Sequence, residues 1–122
     1  MNKDALNQLW TSYLNSYGDV SPSERERLLR QSVSDDIAFT NPGGEGNGIG
    51  SLMRHIADFQ TQLPGARFEG GKLLSHHDEL LSEWTLYTKD GKPIATAHTY
   101  ARFNEEGRLT YTAGFFDPPQ RP

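Results

Sequence analysis

The chain contains no cysteine. That excludes a disulfide framework, a thiol nucleophile and every cysteine-ligated metal or cluster site. It fits a reducing compartment. Long apolar runs are missing too: no stretch reaches the ~18 residues that a membrane-spanning helix needs. Residues 1–20 carry Asp4 and several Asn and Gln, with no apolar h-region, so no signal peptide is expected. A cytoplasmic location is the expectation. Positive charge is scarce: Lys plus Arg is 12 against 16 Asp plus Glu, a net charge of −4. A mildly acidic chain with scattered Arg suits neither nucleic acid nor an anionic membrane, and neither is expected as a partner.

Several chemical motifs are also lacking. There is no Gly-x-Ser-x-Gly elbow and no phosphate-binding Gly-x-x-x-x-Gly-Lys-Ser/Thr loop. The stretch Gly43–Gly50 holds five glycines and opens a helix, so its amides could face an anion. No Lys-Ser/Thr follows it, however, and Glu45 would repel phosphate. It reads as a flexible rim or a tightly shaped loop. No His-x-x-x-His or His/carboxylate triplet has ligand spacing, so no metal and no cofactor are expected.

What is present suits one domain. The 122 residues are 34% hydrophobic and 23% charged, enough for one core without covalent staples. Leu6, Leu9, Trp10, Tyr13, Leu14 and Tyr17 keep helical spacing and end before Gly18. Ser21-Pro22-Ser23-Glu24 is a helix start, with a capping Ser, Pro in the first turn and Glu three residues after the cap. That second helix is expected over residues 22–31. Asp35-Asp36 reads as a turn, and Ile37, Phe39 and Asn41 then alternate as a strand that ends at Pro42. Ile49, Leu52, Met53, Ile56, Phe59 and Leu63 mark a third helix, closed by Pro64-Gly65. Strands follow near residues 67–77, 80–89, 93–104 and 109–117, with hairpin turns at Lys89-Asp90-Gly91-Lys92 and Asn104-Glu105-Glu106-Gly107. The domain spans 1–117, and 118–122 reads as an extended tail. Helices first and strands after argue an α+β fold, with helices on one face of a mainly antiparallel sheet.

This order resembles the NTF2-like superfamily, in particular its SnoaL-like branch. The features that carry the likeness are Asp35-Asp36-Ile37-Ala38-Phe39-Thr40-Asn41-Pro42, the glycine loop leading to Gly48-Ile49-Gly50, and Leu63-Pro64-Gly65-Ala66-Arg67-Phe68. The His76-His77 pair, Trp84, Glu106-Gly107-Arg108-Leu109 and Gly114-Phe115-Phe116-Asp117 complete them. The resemblance implies a cone: three helices packed on a curved, mainly antiparallel sheet, with a deep apolar pocket inside. It also implies a homodimer packed through the open sheet face. Function does not follow from the fold, which hosts isomerases, cyclases, dehydratases and binders.

Ketosteroid-isomerase chemistry needs a carboxylate base before Pro at the end of the first strand, and acids that hold an enolate oxygen. Here the base position is Asn41, an amide that accepts no proton at neutral pH. The oxyanion position falls on Thr99, and the helix-one tyrosine falls near Thr11. All three depart, so steroid-type isomerisation is disfavoured. The Asp-Arg-Asp cluster of limonene-epoxide-hydrolase-like sites is absent from Ala97-His98-Thr99. Asp117 is the late candidate for a cyclase acid, although strand parity turns it away from Phe116.

Strand parity turns Ile37, Phe39 and Asn41 inward, then Ser82, Trp84 and Leu86, then Ala97, Thr99, Ala101 and Phe103, then Thr112, Gly114 and Phe116. His76 and His77 are neighbours, so on a strand they face opposite ways and cannot share one metal. One of them could line the pocket and exchange a proton near neutral pH; the alternative is a hydrogen-bonded strand histidine. His55 reads as a helix-flank residue, with a pocket role as the alternative, and His98 as part of the dimer face, with a catalytic role as the alternative. The expected pocket lining is Trp10, Tyr13, Phe39, Asn41, Met53, Phe59, Trp84, Leu86, Thr99 and Phe116. The leading expectation is a protein that binds a small apolar molecule in the cone, with Asn41 and Thr99 fixing its polar end. The alternative is an enzyme of polyketide cyclase, isomerase or dehydratase type, with His76, His77 or Asp117 as the catalytic candidates for proton transfer.

Overall fold

Asn2 sets the start of the first helix by accepting the Ala5 N–H at 2.8 Å. The helix α1 (Lys3–Asn15) turns Leu6, Leu9, Trp10, Tyr13 and Leu14 into the core. Ser21 caps α2 (Pro22–Ser32) by accepting from the Glu24 N–H, with Pro22 in the first turn. The computed structural model describes residues 2–117. The expected tail 118–122 lies outside them.

The α1–α2 connection is held by a buried cation. The Arg25 guanidinium donates to the carbonyls of Ser16 at 2.9 Å and Gly18 at 3.0 Å. Val20 accepts from it at a longer 3.4 Å. Its charge is dispersed over carbonyl dipoles rather than matched by an acid.

Next come β1 (Val33–Asn41), β2 (Gly44–Asn47) and α3 (Ile49–Gln62). Four strands follow: β3 (Arg67–His76), β4 (Glu79–Tyr87), β5 (Pro93–Phe103) and β6 (Leu109–Phe115). They form one open, curved sheet in the order β2-β1-β6-β5-β4-β3. Every pairing is antiparallel except β1 with β6. Register shifts interrupt β1/β6, β3/β4, β4/β5 and β5/β6. Such bulges bend strands and deepen twist, which curls the sheet around the helices. On the concave side sit Leu29, Ile37, Leu52, Ile56, Leu80 and Leu109, all fully or almost fully buried. Burying side chains of this size contributes roughly 1.5–3 kcal/mol each.

The structure departs from the sequence reading in three places. Asp35-Asp36 is not a turn but lies within β1, where the ladder slips between Val33 and Ala38. Both acids face water there, so local composition imitated a turn. The glycine stretch is also not simply a loop: residues 44–47 pair back on β1. Gly46 permits this, since a Cβ there would stand 2.9 Å from the Phe39 ring. Finally, His77 is not on a strand. β3 ends at His76, and His77 takes φ 51° in the hairpin turn before β4.

Candidate functional site

Curling leaves one end of the cone hollow. The cavity there has a volume of about 80 Å³. A water's share of the liquid is about 30 Å³, so the space as it stands suits a small group rather than a polycyclic molecule. Tyr13 and Leu14 reach it from the C-terminal half of α1, Tyr17 from just past the end of that helix, and His55 and Phe59 from α3. The sheet supplies Thr40, Asn41, Phe68, Trp84, Thr99, Thr112 and Gly114, and Phe116 follows β6. Six of these are aromatic. Among the described residues no Asp, Glu, Lys or Arg lines the hollow.

The rings hold one another. Phe68 stacks on Phe59 at 5.3 Å and stands edge-on to Tyr17 and Trp84. Trp84 in turn meets Phe116 at 5.9 Å. Offset and edge-on contacts of this kind add about 0.5–1.5 kcal/mol per pair beyond burial and restrict the rings.

The polar groups form three sets. Trp84 donates its indole N–H to the Thr99 Oγ1 at 2.8 Å. Tyr13 links the Tyr17 hydroxyl at 3.2 Å to the Thr112 hydroxyl at 3.4 Å. Burial pushes both phenols up, Tyr17 well above its ordinary value, so both stay protonated at neutral pH. Asn41 accepts the Gly43 N–H on Oδ1 at 2.8 Å and places Nδ2 3.1 Å from His55 Nε2. Burial lowers the His55 pKa, with the Asp58 charge opposing, and the imidazole is neutral at pH 7. At neutral pH the hollow is therefore greasy, uncharged and rich in donors.

Of the ten side chains expected to line a pocket, the structure places Tyr13, Asn41, Phe59, Trp84, Thr99 and Phe116 on this wall. Trp10, Phe39, Met53 and Leu86 are not on it. Trp10 is buried, its ring centroid 5.0 Å from that of Tyr13. At 1.5 Å per residue it sits about 6 Å up the α1 axis from Leu14, away from the hollow. Phe39 packs against the His55 ring at 5.2 Å and supports the wall without facing the space. Met53 is half-buried against the core. It falls about 160° around α3 from His55, whereas Phe59 is only about 40° away. Leu86, half-buried, stands two residues beyond Trp84, about 7 Å along β4.

The three catalytic candidates stand elsewhere. His76 and His77 are exposed at the β3–β4 hairpin, their Nδ1 atoms 3.1 Å apart. Asp117 is exposed past the end of β6. Among the described residues no group of three or more His, Cys, Asp or Glu could hold a metal ion.

The most informative wall residue that sequence reasoning left off the lining is His55, whose pocket role it held only as the second reading. A signal was available: His55 lies one turn before Phe59 on the same helical face. Leu14, Tyr17, Thr40, Phe68, Thr112 and Gly114 were also left off the list, although Thr112 and Gly114 have the inward parity expected of them.

Comparison with known proteins places this geometry. A search of curated proteins finds no match. Among solved structures, a SnoaL-like family protein from Agrobacterium tumefaciens, carrying a provisional isomerase label, superposes with a TM-score of 0.85 at 23% identity, covering 94% of this chain and 99% of its own. A provisional polyketide cyclase from Sinorhizobium meliloti gives 0.69 at 12% identity, over 87% and 92%. A protein of ketosteroid isomerase-like fold from Catenulispora acidiphila, in complex with trimethylamine, gives 0.73 at 14% identity, over 89% and 85%. At these identities the likeness shows the fold. The SnoaL-like domain family itself matches residues 23–112, most of the chain, and the protein, whose fold is NTF2-like, therefore belongs to the SnoaL-like domain family.

Proposed function

We propose that the protein binds a small, largely apolar molecule in the aromatic hollow, held by burial and oriented by uncharged donors. The observation that carries this reading is the composition of the wall: six aromatic rings, an amide, an imidazole, hydroxyls and no acid among the described residues. Apolar walls with a few convergent polar groups are the usual make-up of ligand pockets. The related fold seen with a molecule as small as trimethylamine is in keeping with an 80 Å³ hollow.

A second reading is favoured by His55: an isomerase, cyclase or dehydratase that moves a proton through this imidazole. Among the described residues it is the one wall group whose ordinary pKa lies near neutrality, and burial lowers it from there. Its Nε2 lone pair already accepts from Asn41, so a base role would require that bond to open. Binding is therefore the leading reading.

We also propose a homodimer through the open sheet face. Leu74, Leu81, Ile94 and Phe115 share that face by register and parity. Phe115 is 64% exposed and Leu74 54%. A cluster of large exposed apolar side chains on one face is a common mark of an interaction surface.

The test of binding is a thermal-shift screen of small ketones, arenes and cyclic hydrocarbons. A ligand that raises the melting temperature of the wild type, and loses its effect in Trp84→Ala or in the gentler Trp84→Phe, supports the proposal. Absence of any stabilising molecule, or stabilisation indifferent to Trp84, refutes it.

A further inference from the structure

We propose that His55 is a positioning residue that locks the Asn41 amide with one N–H free for the hollow, so that the hollow selects neutral molecules bearing a carbonyl oxygen. This deepens the binding reading and rests on it.

The argument is a donor and acceptor count. Asn41 Oδ1 accepts the Gly43 N–H at 2.8 Å, which fixes which end of the amide is oxygen. Glycine at 43 leaves room for this, since a Cβ there would stand 3.1 Å from Oδ1. Nδ2 then faces His55 Nε2 at 3.1 Å. An amide nitrogen only donates, so Nε2 must accept and the ring proton must sit on Nδ1. The Phe39 ring against His55 holds the imidazole in that orientation. The amide has two N–H groups and only one goes to His55. The other has no protein partner among the described residues, and Asn41 lines the hollow.

A second donor stands near it. Thr99 accepts the Trp84 N–H, and its own hydroxyl proton has no partner among the described residues. Both residues border the missing side chain of Gly114: a Cβ there would lie 3.3 Å from the Asn41 Cβ and 3.6 Å from the Thr99 Oγ1. An oxygen seated beside Gly114 would lie between the Asn41 and Thr99 side chains. With no Lys or Arg on the wall, a carboxylate would be buried without a counter-charge, so the acceptor that fits is a neutral carbonyl.

The test compares cyclopentanone with its hydrocarbon isostere methylenecyclopentane by NMR titration. In the wild type the ketone is expected to move the free Asn41 side-chain N–H downfield, and the isostere is not. His55→Phe keeps a ring but removes the acceptor. It is expected to weaken the ketone by about five- to tenfold, the size of one hydrogen bond, while the isostere stays within about twofold. His55→Gln, whose amide oxygen can accept from Asn41, is expected to restore most of the ketone's affinity. Asn41→Leu gives the same comparison should His55→Phe fail to fold. Equal losses for both probes, or no loss for the ketone, overturn the positioning role while leaving the binding reading intact. Failure of both probes to enter the wild-type hollow overturns both.

Discussion

Gly114→Ala adds one methyl group to the wall of the hollow, beside Asn41 and Thr99. Its Cβ would stand 3.3 Å from Asn41 Cβ, 3.6 Å from Thr99 Oγ1 and 3.9 Å from the Phe116 ring. A methyl group is close to a water in size, so it would take a substantial part of the 80 Å³ hollow. The backbone there has no positive φ, so alanine is tolerated. Replacing glycine at a compatible position stabilises by about 0.4–1 kcal/mol through the unfolded chain. The tight approach to Asn41 offsets part of that, and the expected net change is within about 1 kcal/mol of zero. Binding should respond quite differently: a ligand seated between Asn41 and Thr99 is expected to lose at least about tenfold in affinity, or ~1.4 kcal/mol. Urea unfolding followed by tryptophan fluorescence reads the first quantity, and titration with cyclopentanone reads the second. A variant that binds as tightly as the wild type would refute the placement of the ligand. One destabilised by several kcal/mol would refute the open space.

Further outcomes follow from other contacts. Thr99→Val strands the buried Trp84 N–H, and a loss of about 1–3 kcal/mol is expected in urea unfolding, largely absent when the same change is made in a Trp84→Phe background. Arg25→Met leaves the carbonyls of Ser16 and Gly18 without their donor; it is expected to cost about 2–3 kcal/mol, and an unchanged unfolding midpoint would contradict the clamp. His55 has its pKa lowered by burial, so the unfolded chain binds its proton first as the pH falls. The His55 contribution is therefore fully present above its ordinary value of 6.5 and is lost as the pH drops from there through the folded value. The stability difference between wild type and His55→Gln should shrink over that range, and a difference independent of pH would contradict a neutral imidazole. Phe115→Asp on the open sheet face is expected to shift sedimentation toward the monomer; an unchanged mass in both proteins would remove the dimer proposal.

Much of the fold was legible because its signals were local and periodic. The α1 stripe, the Ser21-Pro22 cap and the alternation through Trp84 and Thr99 each state which face is buried, and the burial pattern of β4 and β5 follows them. The errors fell where tertiary pairing overrides local composition. Asp35-Asp36 has the residues of a turn, but β6 holds that segment extended across a bulge. Residues 44–47 have the residues of a loop, but β1 recruits them as an edge strand. The site was only partly legible, for a geometric reason. Periodicity says which face a residue takes, but not how far along its element the hollow lies. Trp10 and Leu86 have inward faces and sit away from the space. His55 reads first as a polar residue on a helix flank, yet its face is that of Phe59, and Asn41 supplies the partner that makes its burial tolerable.

The central claim is that the hollow beside Trp84 takes a ligand, and the protein carries its own control for it. Of its two tryptophans, Trp84 lines the hollow with its indole N–H on Thr99, and Trp10 does not line it. Titrating isotope-labelled protein with cyclopentanone should move the Trp84 indole N–H resonance in a saturable way while that of Trp10 stays still. A Trp84 resonance that does not move, or a pair that moves together, would contradict the account.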